Sequence, residues 1–74
     1  MEPQFRFRKI KQARLDKGMT QEELAKRSDV SRVTIIGLES GKITNTKVDT
    51  LRRIADALEL SMDVLFFDED VSSN

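Results

Sequence analysis

Cysteine is absent from the 74 residues, which removes a disulfide framework, a thiolate zinc site and a cysteine nucleophile. Histidine is absent too. That excludes a His-based triad, an imidazole base and most transition-metal sites. Proline occurs once, at Pro3, and glycine only at Gly18, Gly37 and Gly41. No apolar run approaches the roughly 20 residues of a membrane span. Met1-Glu2-Pro3-Gln4 leads into a charged segment rather than an apolar signal peptide, so a cytoplasmic protein is expected. There is no glycine-rich phosphate loop and little room for a substrate cleft. An enzyme is therefore not expected, and no catalytic residue, metal site, cofactor or small-molecule ligand is assigned. A chain of this length buries only about 60% of its unfolded surface and makes one small domain.

Acids and bases number 13 each, so the net charge is zero, but they are not mixed evenly. Residues 1–53 carry all 13 Lys and Arg against seven acids, a net of +6. Residues 54–74 carry six acids and no base, a net of −6. One part of the chain can attract phosphates while the other repels them. Chance segregation of charge in a small helical protein would give the same split.

The chain is rich in helix formers and has no alternating strand pattern. Phe7, Ile10, Ala13 and Arg14 recur at helical spacing, so a first helix is expected from about Phe5 to Lys17, ended by Gly18. Thr20-Gln21-Glu22-Glu23 is a capping box that starts a second helix, Gln21 to about Ser28. Asp29 breaks that helix, and Ser31 caps a third from Arg32 to about Ser40, closed by Gly41. After a polar loop, Thr46-Lys47-Val48-Asp49 resembles another capping signal. Val48, Leu51, Ile54, Ala55 and Leu58 then form the apolar stripe of a fourth helix. Ser61 caps a short fifth helix from Met62 to about Phe67. The expected architecture is all-α: one compact five-helix domain over residues 1–74, ordered from about 5 to 67, with an acidic flexible tail over 68–74. Helices two and three, joined by Asp29-Val30-Ser31, form a helix-turn-helix unit.

Residues 6–67 resemble the phage repressor/Cro-like (XRE-type) helix-turn-helix family of DNA-binding proteins. The matching residues include Arg14, Gly18-Met19-Thr20-Gln21-Glu22-Glu23-Leu24-Ala25, Val30-Ser31-Arg32, Thr34-Ile35, Leu38-Glu39-Ser40-Gly41-Lys42, Ile54-Ala55 and Ser61-Met62-Asp63-Val64-Leu65-Phe66. Ile10-Lys11 through Arg14-Leu15 and the Ile36-Gly37 pair resemble the small controller proteins of restriction–modification systems. The resemblance implies a five-helix repressor-like domain that binds double-stranded DNA. By the same resemblance, Gln21 contacts a phosphate at a helix N-terminus. Arg14 and Glu39 form an ion pair joining helices one and three. The chain departs from the family at Asp29, where Gly is usual, at Ile36, usually polar, and at Gly37, usually larger. Its Lys42–Asn45 loop is one residue longer than in common members.

At 100° per residue, Ile35 and Leu38 face the core. Val33, Ile36, Gly37 and Ser40 lie on the far side, with Arg32 at the edge. The expected base contacts are Arg32, Val33, Ile36 and Gly37. Arg32 suits guanine O6 and N7, Val33 and Ile36 suit thymine methyls, and Gly37 would let the backbone approach closely. A phosphate is the alternative partner of Arg32, and isolated exposure is the alternative account of Val33 and Ile36. Thr34, Ser40 and Lys42 join Gln21 as expected phosphate contacts.

Val64 and Phe67 are the expected dimer interface, because Leu65 and Phe66 suffice to fill the core. Phe67 folded over helix one is the alternative. A homodimer would place two helices in successive major grooves of an inverted repeat. The expected function is a sequence-specific, dimeric transcriptional regulator, a repressor or autoregulator. The alternative is an antitoxin-like protein-interaction module on the same fold.

Overall fold

The computed structural model describes Phe7 and residues 9–66, and within them the chain forms five α-helices. These are α1 (Lys9–Asp16), α2 (Gln21–Ser28), α3 (Arg32–Ser40), α4 (Val48–Ala57) and α5 (Met62–Phe66). No strand occurs among the described residues. The expected tail over 68–74, and Phe67, lie outside them. The first helix starts later than its spacing suggested: Phe7 is not helical, and its carbonyl accepts the Ile10 N–H at 3.0 Å.

The helix ends follow from local chemistry. The Thr20 hydroxyl accepts the Glu23 N–H, and the Glu23 carboxylate accepts the Thr20 N–H, each at 3.0 Å. Both are N–H groups that a helix start cannot satisfy within itself. The Ser31 hydroxyl accepts the Thr34 N–H at 3.1 Å and so opens α3. Helices α1, α2 and α4 each end on a left-handed residue: Gly18 (φ 71°), Asp29 (φ 59°) and Glu59 (φ 59°). The next residue's N–H then reaches back to a helix carbonyl, Met19 to Arg14, Val30 to Ala25 and Leu60 to Ala55. The start of α4 differs from expectation. Lys47 is its cap, in extended backbone, and no side chain bonds to the free N–H groups there.

Helix α2 packs on both α3 and α4, and α1 packs on α3 and α5. The shared core includes Ile10, Leu24, Ile35, Leu38, Leu51, Ile54, Leu58, Leu65 and Phe66. Phe7 meets Phe66 edge to face, with centroids 6.1 Å apart, which ties the chain before α1 to α5. Val48, read from the sequence into the α4 stripe, is instead 54% exposed, because it sits at the first position of the helix, beyond the core.

Candidate nucleic-acid interface

Helix α3 divides into two faces. Ile35 and Leu38 are buried, while Arg32, Val33, Ile36 and Ser40 are exposed along an arc of about 100°. Val33 at 76% is the most open of the large apolar side chains in the described residues. Such a side chain loses nothing by meeting another apolar surface.

The buried face is fixed by an ion pair. Arg14 donates to the Glu39 carboxylate through Nε at 2.8 Å and Nη2 at 3.0 Å. Its Nη1 donates to the Met19 carbonyl at 2.8 Å. The hydrogen bond to Glu39 raises the Arg14 pKa against the lowering effect of burial, and the Glu39 charge adds to the rise. Both side chains are nearly sealed, at 8% and 4% exposure. This two-pronged arrangement joins the end of α1 to the last turn of α3.

Gln21 belongs to the same cluster. Its Nε2 donates to Glu39 Oε1 at 3.1 Å. An amide nitrogen carries two protons, so one remains to be donated outward. Gln21 and Arg32 border one shallow depression with Thr20 and Glu22, so the start of α2 and the start of α3 share a surface.

Two of the residues expected at this surface sit differently. Gly37 is buried, not on the open face. A Cβ at that position would lie 2.5 Å from Ile43 Cδ1 and 2.6 Å from Ile43 Cγ1. Ile43 covers the site, so close approach of the backbone to a base edge is not open there. Ser40 is exposed, but its hydroxyl donates to the Gly37 carbonyl at 3.2 Å and accepts the Lys42 N–H at 3.4 Å. A hydroxyl has one proton, and in this arrangement none is left for a phosphate. Thr34 is the opposite case: its hydroxyl accepts from Ser31 at 2.9 Å and keeps its own proton. Lys42 is exposed in the loop after α3. Val64 is 51% exposed on α5, and Phe67, its expected companion, lies outside the described residues.

Sequence spacing missed Ile43 and the Met19 carbonyl. Neither carries a local signal: Ile43 is a lone apolar residue in a polar loop, and a backbone carbonyl is the same at every position. Among the described residues no cluster of acids suits a metal ion, and no helix is long and apolar enough to cross a membrane.

A family model described as Helix-turn-helix matches residues 10–65. An "Uncharacterized HTH-type transcriptional regulator" of Methanothermobacter thermautotrophicus is 44% identical over 63 residues, covering 82% of this chain and 90% of the relative. The structure is similar to that of the "master regulator for biofilm formation SinR in complex with DNA", with a TM-score of 0.73 and 30% identity. That match covers 76% of this chain and 89% of the other. It is also similar to the restriction–modification controller protein C.AhdI of Aeromonas hydrophila, with a TM-score of 0.74 and 31% identity over 78% of this chain and 86% of that one.

Proposed function

The chain belongs to the helix-turn-helix family of DNA-binding transcriptional regulators, and from that premise we propose that it reads an inverted repeat as a homodimer, with α3 in the major groove. It acts in the cytoplasm as a repressor or autoregulator. The observation that carries this reading is the open face of α3: Arg32, Val33 and Ile36 are exposed on a helix whose other face is locked by Arg14 and Glu39.

Arg32 supplies the fork that matches guanine, and Val33 and Ile36 supply apolar contact for thymine methyls. Gln21 donates its second amide proton to a phosphate at the start of α2, where the helix dipole favours an anion. Thr34 and Lys42 take further phosphates, which set register without reading sequence. One such helix covers few base pairs. A second copy joined through the α5 face that bears Val64 puts another α3 about 34–36 Å away, in the next major groove.

In-vitro selection from a random duplex library at physiological salt tests this reading. An enriched inverted repeat, with half-sites about one helical turn apart, is the expected result. An unenriched pool from folded protein would sink it and turn attention to a protein partner.

A further inference from the structure

A glycine in the middle of a helix costs stability relative to alanine, so Gly37 needs a reason. Its φ is not left-handed, so backbone geometry does not require it. The reason is on its surface. Ile43, six residues on, lies where a Gly37 side chain would be, and both its Cδ1 and Cγ1 would be met by a Cβ. The contact therefore involves the body of the isoleucine as well as its tip.

The backbone reinforces the contact. The Ile43 N–H donates to the Gly37 carbonyl at 3.0 Å. The Ser40 hydroxyl donates to the same carbonyl and accepts the Lys42 N–H. Gly41 turns the chain at φ 87°. The loop after α3 is thus folded back onto the helix it has just left. Lys42 stands between the turn at Gly41 and the seat at Ile43, with its own N–H tied to Ser40. Its side chain is exposed, and among the described residues it has no carboxylate partner.

Resting on the DNA-binding reading above, we propose that Gly37 and Ile43 are positioning residues, a notch and its plug that hold Lys42 against a phosphate beside the bases read by α3. The glycine serves the loop and leaves the DNA-facing surface of α3 to its neighbours. The exposed cation is aimed by two groups that never touch the nucleic acid.

The salt dependence of DNA affinity tests this, because each neutralised phosphate contributes about 0.9 to the slope of log affinity against log salt. The duplex is the enriched sequence from the selection. Lys42→Ala is expected to lower the slope by about 0.9 per protomer. Gly37→Ala, which drives Ile43 out of its seat, is expected to lower it by a similar amount, and adding Lys42→Ala should lower it no further. Ile43→Ala removes the plug while keeping the notch and the backbone bond, and should lower the slope as Gly37→Ala does; a native slope in this variant also overturns the proposal. A purely structural glycine would lower the melting temperature and leave the slope of the folded protein unchanged; that result overturns the proposal. So does a native slope that survives Lys42→Ala, which leaves the DNA-binding reading standing. A native chain with no salt-dependent affinity for any duplex overturns both.

Discussion

Glu39 in α3 accepts two guanidinium N–H bonds from Arg14 in α1, at 2.8 and 3.0 Å, with both side chains almost wholly shielded from water. Breaking one partner of a buried pair strands the other charge, which typically costs about 3–5 kcal/mol. Arg14→Met should therefore destabilise by about that amount, and Glu39→Leu likewise. The double variant strands neither charge and should lose clearly less than the sum. Urea unfolding of the four proteins measures this. Additive losses would mean that the two side chains act independently.

Gln21 takes its orientation from Glu39, which holds one of its amide protons. Gln21→Ala should weaken operator and scrambled duplexes alike, by about 1 kcal/mol for one lost neutral donor. Anisotropy titrations on both duplexes make the comparison. A loss confined to the operator contradicts a phosphate role.

Arg32 is exposed at the first turn of α3, on the surface it shares with Gln21. Arg32→Ala should cost about 1–3 kcal/mol on the operator and relax preference at one position of each half-site. Repeating the selection with the variant reads this directly. An unchanged consensus removes Arg32 from the reading face.

What could be read in the sequence was what depends on neighbours a few residues away. Thr20 and Glu23 form their box within four residues, and Ser31 caps α3 three residues before Thr34. The break at Asp29 falls between two helical patterns, and its φ of 59° lies in a region that Asp tolerates better than most residues and where the resembling family usually has Gly. Contacts across the fold were less legible. The seat of Ile43 on Gly37 needs the loop to double back, and spacing alone placed Gly37 on the open face of α3. Ser40 looked free on a helical wheel because a wheel does not show the carbonyl beneath it. Glu59 adopts φ 59° where glycine is usual, so its turn carried no composition signal. Val48 fitted the apolar period of α4, but periodicity does not say where the core ends.

Asp29 sits at φ 59°, where a Cβ is unfavourable, and its carboxylate and carbonyl meet Arg53 Nη1 at 3.3 and 3.4 Å. The Asp29 side chain is 93% exposed, so the ion pair contributes little in water. Relief of the backbone should dominate. Asp29→Gly is expected to stabilise by about 0.5–1 kcal/mol, and Asp29→Val to destabilise by about 1–2 kcal/mol. Thermal unfolding at fixed concentration gives the sign. A less stable Asp29→Gly would mean that the Arg53 contacts outweigh the strain.

Val64 stands half-exposed on α5, beside Leu65 and Phe66, which are buried. If two copies meet there, a carboxylate at this position would be trapped in an apolar contact or would prevent it. Val64→Asp should leave the fold intact, because the side chain is outside the core. The dimer should dissociate in sedimentation equilibrium. Joining two reading heads commonly raises affinity by about 10²–10⁴-fold, so the variant should lose at least 100-fold on a duplex with both half-sites. On a single half-site it should bind as the native protein does. Equal losses on both duplexes would point to damage within one protomer, and a native-like dimer would move the interface away from α5.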